Sequence, residues 1–363
     1  MAKSLLFIPD ISGFTKFVQT TEIEHSQHVI AELLEILISA NTQELKLAEV
    51  EGDALFFYKE EIPSMEKILA QIETMYTAFY SHLRMLEKNR ICPCNACASA
   101  PNLELKIILH CGEIQFLNVQ GNRKPFGEIV IEAHRLLKNS VESDNYVLIS
   151  NPLAAEVELS RDYSSLLFHF RNGVDFYDGK SIDYLYSIID VAQLKLRSFD
   201  APILFTPHMP PDFSKRVKIN RNMYEVHEMI TNYRYRHQWV LGVDEFVFNS
   251  DEVTRKGTEH TCVINGRQLH FTTVIKEVPI EQLVYGELTF SPLPVERMYQ
   301  FYRLRPTSGN SCELIYEMYW YTKTPIQKLL MFIGAKRQIV MGASTSIDAL
   351  VNLMHLEQST IDA

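Results

Sequence analysis

Phe7-Ile-Pro-Asp-Ile-Ser-Gly-Phe-Thr15 brings a carboxylate to the end of an apolar run. Such a run reads as a strand that delivers Asp10, after which the Ser-Gly-Phe-Thr turn opens a helix. The free backbone N–H groups there, beginning at Phe14 and Thr15, would attract phosphate, while the carboxylate attracts a divalent cation. A second carboxylate, Asp53, lies in the turn Glu51-Gly-Asp-Ala54 between two further strands. If those strands pair beside the first, the two aspartates converge. Two converging carboxylates and a triphosphate are a recurrent way to hold magnesium or manganese.

Ile91-Cys-Pro-Cys-Asn-Ala-Cys97 offers different chemistry, with the thiols of Cys92, Cys94 and Cys97 inside six residues. Soft ligands at this spacing suit zinc or an iron–sulfur cluster, with His110 or Cys111 as the expected fourth ligand. The alternative is incidental thiols in a helix-to-strand loop. His25 and His28 share a helix face one turn apart and read as a half-buried polar pair rather than ligands. His134 reads as packing, and Glu22, Glu24, Glu32 and Glu35 as a solvated helix face.

Periodicity supplies the elements that must position these groups. Ser4–Ile11 reads as a strand, 22–45 as a helix, 45–58 as a hairpin turning near Gly52-Asp53, and 65–86 as a second helix. A strand pair over 103–117, a helix over 129–137 and a strand over 146–150 follow. Helices on one side of a mainly antiparallel sheet make an α+β domain over residues 1–190. Residues 191–217, with Pro202, Pro207, Pro210 and Pro211, read as a linker. Strands are expected over 253–264, 268–276, 283–290, 298–304 and 312–321, with Asn265-Gly266 as a hairpin turn. Thr324 and Pro325 then open a long helix running to about Leu356, with Gly334 and Gly342 as places to bend.

The chain has 363 residues, enough for about two domains. Residues 1–200 hold 28 acidic and 18 basic side chains and the remainder 17 of each, so the net charge of −10 belongs to the first part. Without a basic cluster the chain is a poor binder of nucleic-acid polymer. Twenty Phe and 17 Tyr exclude disorder. No signal peptide or membrane-spanning run is visible, and six unevenly spaced cysteines make no disulfide framework. The expectation is a cytoplasmic protein with reduced thiols.

The order Phe7–Thr15, Glu49-Val-Glu-Gly-Asp-Ala54, Leu109-His-Cys-Gly112 and Phe126-Gly-Glu-Ile-Val-Ile-Glu-Ala-His-Arg-Leu136 resembles the class III nucleotide cyclase catalytic domain, across about 4–190. The resemblance implies a ferredoxin-like core, a head-to-tail homodimer with the site at its interface, and Asp10 and Asp53 as ligands of Mg or Mn. It further implies attack of a ribose 3′ hydroxyl on the α-phosphate of a ribonucleoside triphosphate, with Arg135 stabilising the charge that builds there. Glu49 and Lys124 fall on its base-reading positions and match neither purine code. Its ribose-positioning asparagine is Ile131 here, and Lys180 is out of register with its phosphate-binding lysine.

From 218 to 363 a helix, a run of antiparallel strands and a long helix resemble the START-like, or polyketide-cyclase-like (SRPBCC), helix-grip superfamily. That resemblance implies an apolar-ligand cavity, with Trp239, Phe271, Tyr285, Phe290, Tyr302, Tyr316, Met318 and Trp320 as candidate lining. His227, Glu228, His260, Glu287 and Glu317 are polar residues that can face it, but no spacing selects a catalytic pair. The combined expectation is a slow or degenerate nucleotide cyclase joined to a hydrophobic-ligand-binding domain. The alternatives are a pseudocyclase that senses nucleotide or lipid, and a START-like carrier of an apolar compound.

Overall fold

A strand whose residues are all buried, as Ser4–Ser12 is, can sit only at the centre of a sheet covered on both faces. In the computed structural model, which describes residues 3–361 except 178, 200–203, 293 and 309, it is the hub of the first of two units. Pro202 of the expected linker lies outside the described residues. The first unit runs β1 (Ser4–Ser12), α1 (Phe14–Thr20), α2 (Ile23–Ser39), β2 (Lys46–Glu51), β3 (Ala54–Lys59), α3 (Met65–Asn89), α4 (Asn95–Ser99) and β4 (Glu104–Gly112). It continues with β5 (Gln115–Val119), β6 (Asn122–Phe126), α5 (Glu128–Leu136), β7 (Tyr146–Ser150), α6 (Asn151–Glu156), β8 (Arg171–Tyr177) and β9 (Lys180–Ile188).

The main sheet has the order β2-β3-β1-β4-β7-β9-β8. Strands β4, β1, β3 and β2 are neighbours in that order and all pair antiparallel, with α1 and α2 between β1 and β2 and α3 between β3 and β4. This is the ferredoxin-like βαββαβ arrangement, which places β1 between the two strands that flank its carboxylate.

Three features differ from the sequence reading. Ala133 and Leu136 of α5 pack on Leu6 and Ile8, while Leu5 and Phe7 on the opposite face of β1 are equally buried, so helices do not cover one side alone. Helix α2 stops at Ser39, because Asn41 closes a loop: its Nδ2 donates to the Leu45 carbonyl and its Oδ1 accepts from Leu45 N–H. Residues 103–117 are not a strand pair. β4 pairs with β1 and, in parallel, with β7, whereas β5 and β6 form a separate ribbon about Gln120-Gly121, both at positive φ.

The second unit is a seven-stranded antiparallel sheet of order β10-β16-β15-β14-β13-β12-β11. Its elements are β10 (Phe213–Ile219), α7 (Met223–Thr231), β11 (Glu245–Phe248), β12 (Glu259–Ile264), β13 (Arg267–Val274), β14 (Leu283–Phe290), β15 (Arg297–Ser308), β16 (Ser311–Tyr321), α8 (Pro325–Leu330) and α9 (Lys336–Ile361). β10 begins within the stretch read as linker and runs two residues past it, and β12 begins six residues after the strand expected from 253. Asn265 and Gly266 form the expected tight turn with φ of 49° and 70°, pairing Ile264 with Arg267. Thr324 and Gln327 close a reciprocal capping box on α8, and the helix breaks at Gly334 before α9. Ile347, Leu350 and Met354 of α9 join the aromatic core of this sheet. Among the described residues no helix is long and apolar enough to cross a membrane.

Candidate functional site

Asp10 stands in β1 opposite Ala54 of β3 and Lys106 of β4. The backbone N–H of Ile11 donates to the Asp53 carbonyl at 3.1 Å, which clamps the β2–β3 turn against β1. Gly52, at φ 69°, lets that turn close. The two aspartates therefore meet. Burial, then the charge of Asp10 and a hydrogen bond with it, push the Asp53 carboxyl up to about 6. One cation is already present: Lys106 Nζ lies 2.9 Å from Asp10 Oδ2. Sequence reading missed Lys106, since only the β1–β4 register brings it there.

Glu49 on β2 and Lys124 on the β5–β6 ribbon also meet, at 2.8 Å, with both side chains 44% exposed. Arg135 lies on α5, partly buried, while Ile131 one turn earlier on that helix is 54% exposed and offers no hydrogen bond. Lys180 pairs with Glu128. Phe14 and Thr15 begin α1, but that helix has only seven residues, too few aligned peptides for the phosphate-attracting terminus expected there. His134 does more than pack. Its Nε2 lies 2.9 Å from Glu51 Oε2 and its Nδ1 2.7 Å from the Val130 carbonyl, so α5 is tied to the strand end two residues before Asp53.

His110 and Cys111 do not join the cysteine cluster. The group that meets Cys92, Cys94 and Cys97 is His25, and one ligand atom from each of the four lies within 4.8 Å of the others. This cluster could hold a metal ion. His110 is buried instead beside Ser150, with Nδ1 2.8 Å from its Oγ, and burial pushes the imidazole pKa down to about 4. Its Nε2 is 3.3 Å from Glu132 but too poorly aligned for a hydrogen bond. The unfolded chain takes up this proton near pH 6.5 and the folded one only near 4. The stability present above 6.5 therefore falls by about 3 kcal/mol as the pH drops through that window. Urea titrations followed by circular dichroism at pH 7 and pH 4 should show a smaller loss in His110→Gln.

In the second unit the expected cavity residues Trp239, Tyr285, Tyr302 and Tyr316 belong to one buried cluster, with Tyr302 ring centroids 5.0 Å from Tyr316 and 6.0 Å from Trp239. Phe271 stacks on His260, and Trp320 is partly buried with Lys336 over its ring. Phe290 is 62% exposed and lines nothing, because it ends β14 on the outward side. Two of the polar residues, Glu287 and His260, gather around one that the sequence did not single out. Arg236 Nη2 donates to Glu287 Oε1 at 2.6 Å, Tyr285 OH donates to the same oxygen at 2.7 Å, and His260 Nε2 lies 3.7 Å from it. Glu317 instead pairs with Lys276 and Arg303, and Glu228 accepts from Asn232.

Parts of the chain are similar to known proteins at three levels. A family model described as "Protein of unknown function (DUF2652)" matches residues 30–146. Among solved structures, the catalytic core of a rhodopsin-guanylyl cyclase with converted specificity, in complex with ATPalphaS, is 14% identical, with a TM-score of 0.40 over 52% of this chain and 96% of that one. The adenylyl cyclase CyaB from P. aeruginosa is 15% identical, with a TM-score of 0.39 over 52% and 94%. The Mycobacterium tuberculosis protein "Uncharacterized protein Rv2561/Rv2562" is 31% identical over 146 residues, 40% of this chain and 68% of its own length. With that identity across two thirds of the relative, the chain belongs to the family of the mycobacterial protein Rv2561/Rv2562.

Proposed function

We propose that the first unit binds a ribonucleoside triphosphate with magnesium or manganese and cyclises it slowly, in the manner of a class III nucleotide cyclase. The observation that carries this reading is the meeting of Asp10 and Asp53 at the centre of a ferredoxin-like sheet. Hard carboxylate oxygens, here on a strand and on the turn clamped against it, are the donor set these ions take. When bound, the cation would polarise the nucleotide's phosphates. The rest falls to the chain. Asp10 and Asp53 hold the cation, Arg135 offers positive charge to the α-phosphate, and Glu49 with Lys124 presents one acceptor and one donor to the base.

The same residues set the pace. Ile131 cannot hold a ribose hydroxyl, and losing one positioned donor costs about 10²–10³ in rate. Glu49 and Lys124 satisfy each other, so a base must break a half-exposed ion pair to be read. The reading requires a homodimer. In it, the second unit is a START-like domain whose aromatic cluster under α9 takes an apolar small molecule.

Incubation of the full chain with manganese and each ribonucleoside triphosphate, followed by mass spectrometry, should give slow cyclic product that Asp10→Asn abolishes. Native mass spectrometry of the same preparation reads bound nucleotide and any co-purified apolar compound. Saturable nucleotide binding without product would favour the pseudocyclase, for which Ile131 is the specific reason. Absence of binding as well as product would overturn both.

A further inference from the structure

The segment between α3 and α4 turns sharply through Cys92-Pro-Cys94, and α4 then brings back Cys97. Its donors are three sulfurs and one imidazole nitrogen. Cys92 and Cys97 are 6% and 8% exposed and His25 is 9% exposed, so the cluster faces inward. None of the three cysteines is in a disulfide. The four donor atoms lie within 4.8 Å of one another, and His25 Nδ1 is 3.7 Å from Cys97 Sγ. A tetrahedral zinc ion with Zn–S bonds of about 2.3 Å holds its sulfurs about 3.8 Å apart, so the cluster needs only a small contraction to close on one ion.

Two surrounding contacts hold the donors in place. Glu22 Oε2, just before α2, accepts from the backbone N–H of Ala96 at 3.0 Å, which fixes α4 beside the turn of α2 that carries His25. The backbone N–H of Cys94 points at Cys92 Sγ at 3.5 Å, the kind of donor that stabilises a thiolate. Glu22 and His25, which read in the sequence as a solvated face and a polar pair, thus take part in one construction.

We propose that His25, Cys92, Cys94 and Cys97 form a structural Cys₃His zinc site that ties α2 to α4 and the end of α3. Soft thiolates favour zinc over the magnesium or manganese suited to the two aspartates, so the two sites would not compete for one ion. An iron–sulfur cluster interposes several atoms between its ligands and would need the sulfurs farther apart than they are. With four protein ligands the zinc has no open position, and its role is to hold the fold rather than to carry a reaction.

Elemental analysis of the full chain, purified under reducing conditions from zinc-supplemented cells, should give about one zinc per chain. Replacement by cobalt should give the visible bands of tetrahedral cobalt and a thiolate-to-cobalt charge-transfer band. Cys97→Ser should lose most of the bound metal, whereas Cys111→Ser should keep it. If Cys97→Ser does not fold, His25→Cys decides: it preserves four ligands and should retain zinc with a shifted cobalt spectrum. Less than a tenth of a zinc per chain and no cobalt charge-transfer band would overturn the site. Stoichiometric iron with inorganic sulfide would overturn its assignment to zinc.

Discussion

Arg236→Met is expected to destabilise the second unit by about 3–5 kcal/mol, the usual cost of leaving a buried charge without its partner. Arg236 and Glu287 are each 3% exposed at the side chain and 2.6 Å apart. Burial alone would push the Glu287 carboxyl up. The Arg236 charge, then His260 and the Tyr285 hydroxyl, outweigh it and hold that carboxyl below its ordinary range. Arg236 also donates from Nε to the Ile230 carbonyl at 2.7 Å, and its guanidinium lies 5.0 Å from the Trp239 ring centroid and 5.2 Å from that of Tyr285. Methionine keeps much of the volume but abandons the carboxylate. The double variant Arg236→Met/Glu287→Leu removes both charges, so it should recover much of the loss. Both tryptophans, Trp239 and Trp320, lie in this unit, so urea unfolding followed by their fluorescence reports it selectively. A double variant no more stable than the single one would show that the orphaned carboxylate is not the source of the cost.

That ion pair marks where the sequence stops being readable. Asp10 and Asp53 could each be placed from local signals, an apolar run ending in a carboxylate and a Gly-Asp turn between two strands, and their meeting then rested on one assumption, that β3 pairs beside β1. Asn265-Gly266 and the Thr324 cap are equally local, since backbone conformation at two to four residues decides them. Arg236 and Glu287 are 51 residues apart and meet only because α7, the turn after it and β14 pack together. Nothing in their spacing announces that. The same holds for His25, 67 residues before Cys92, and for the His134–Glu51 contact across 83 positions. β10 escaped notice for another reason. Its residues Ser214, Arg216 and Lys218 are charged or polar and follow a proline-rich stretch, as fits an edge strand with one wet face. Glu49 and Lys124 were legible only through family resemblance, and the structure adds that they pair with each other.

Lys106→Met is expected to raise the affinity of the aspartate site for manganese by about ten- to a hundred-fold. Lys106 Nζ is 2.9 Å from Asp10 Oδ2, and only a fifth of the lysine side chain is exposed, so solvent screens this contact less than one at the surface. Two unit charges 4 Å apart interact by about 4 kcal/mol at an effective dielectric of 20, and a divalent ion doubles that repulsion. Much of it is relieved as the lysine swings aside, which leaves the smaller net change. The internal ammonium thus serves as a resident cation that balances the carboxylates, and under the proposed function it must give way when a metal binds. Without it, Asp10 and Asp53 face each other uncompensated, so the metal-free variant should melt at a lower temperature than the parent chain. Manganese should restore more stability to the variant than to the parent, in proportion to its tighter binding. Calorimetric titration with manganese, paired with melting curves at several metal concentrations, measures both effects. An affinity that is unchanged or weaker in Lys106→Met would show that the ammonium helps to build the cation site instead of competing with the ion for Asp10.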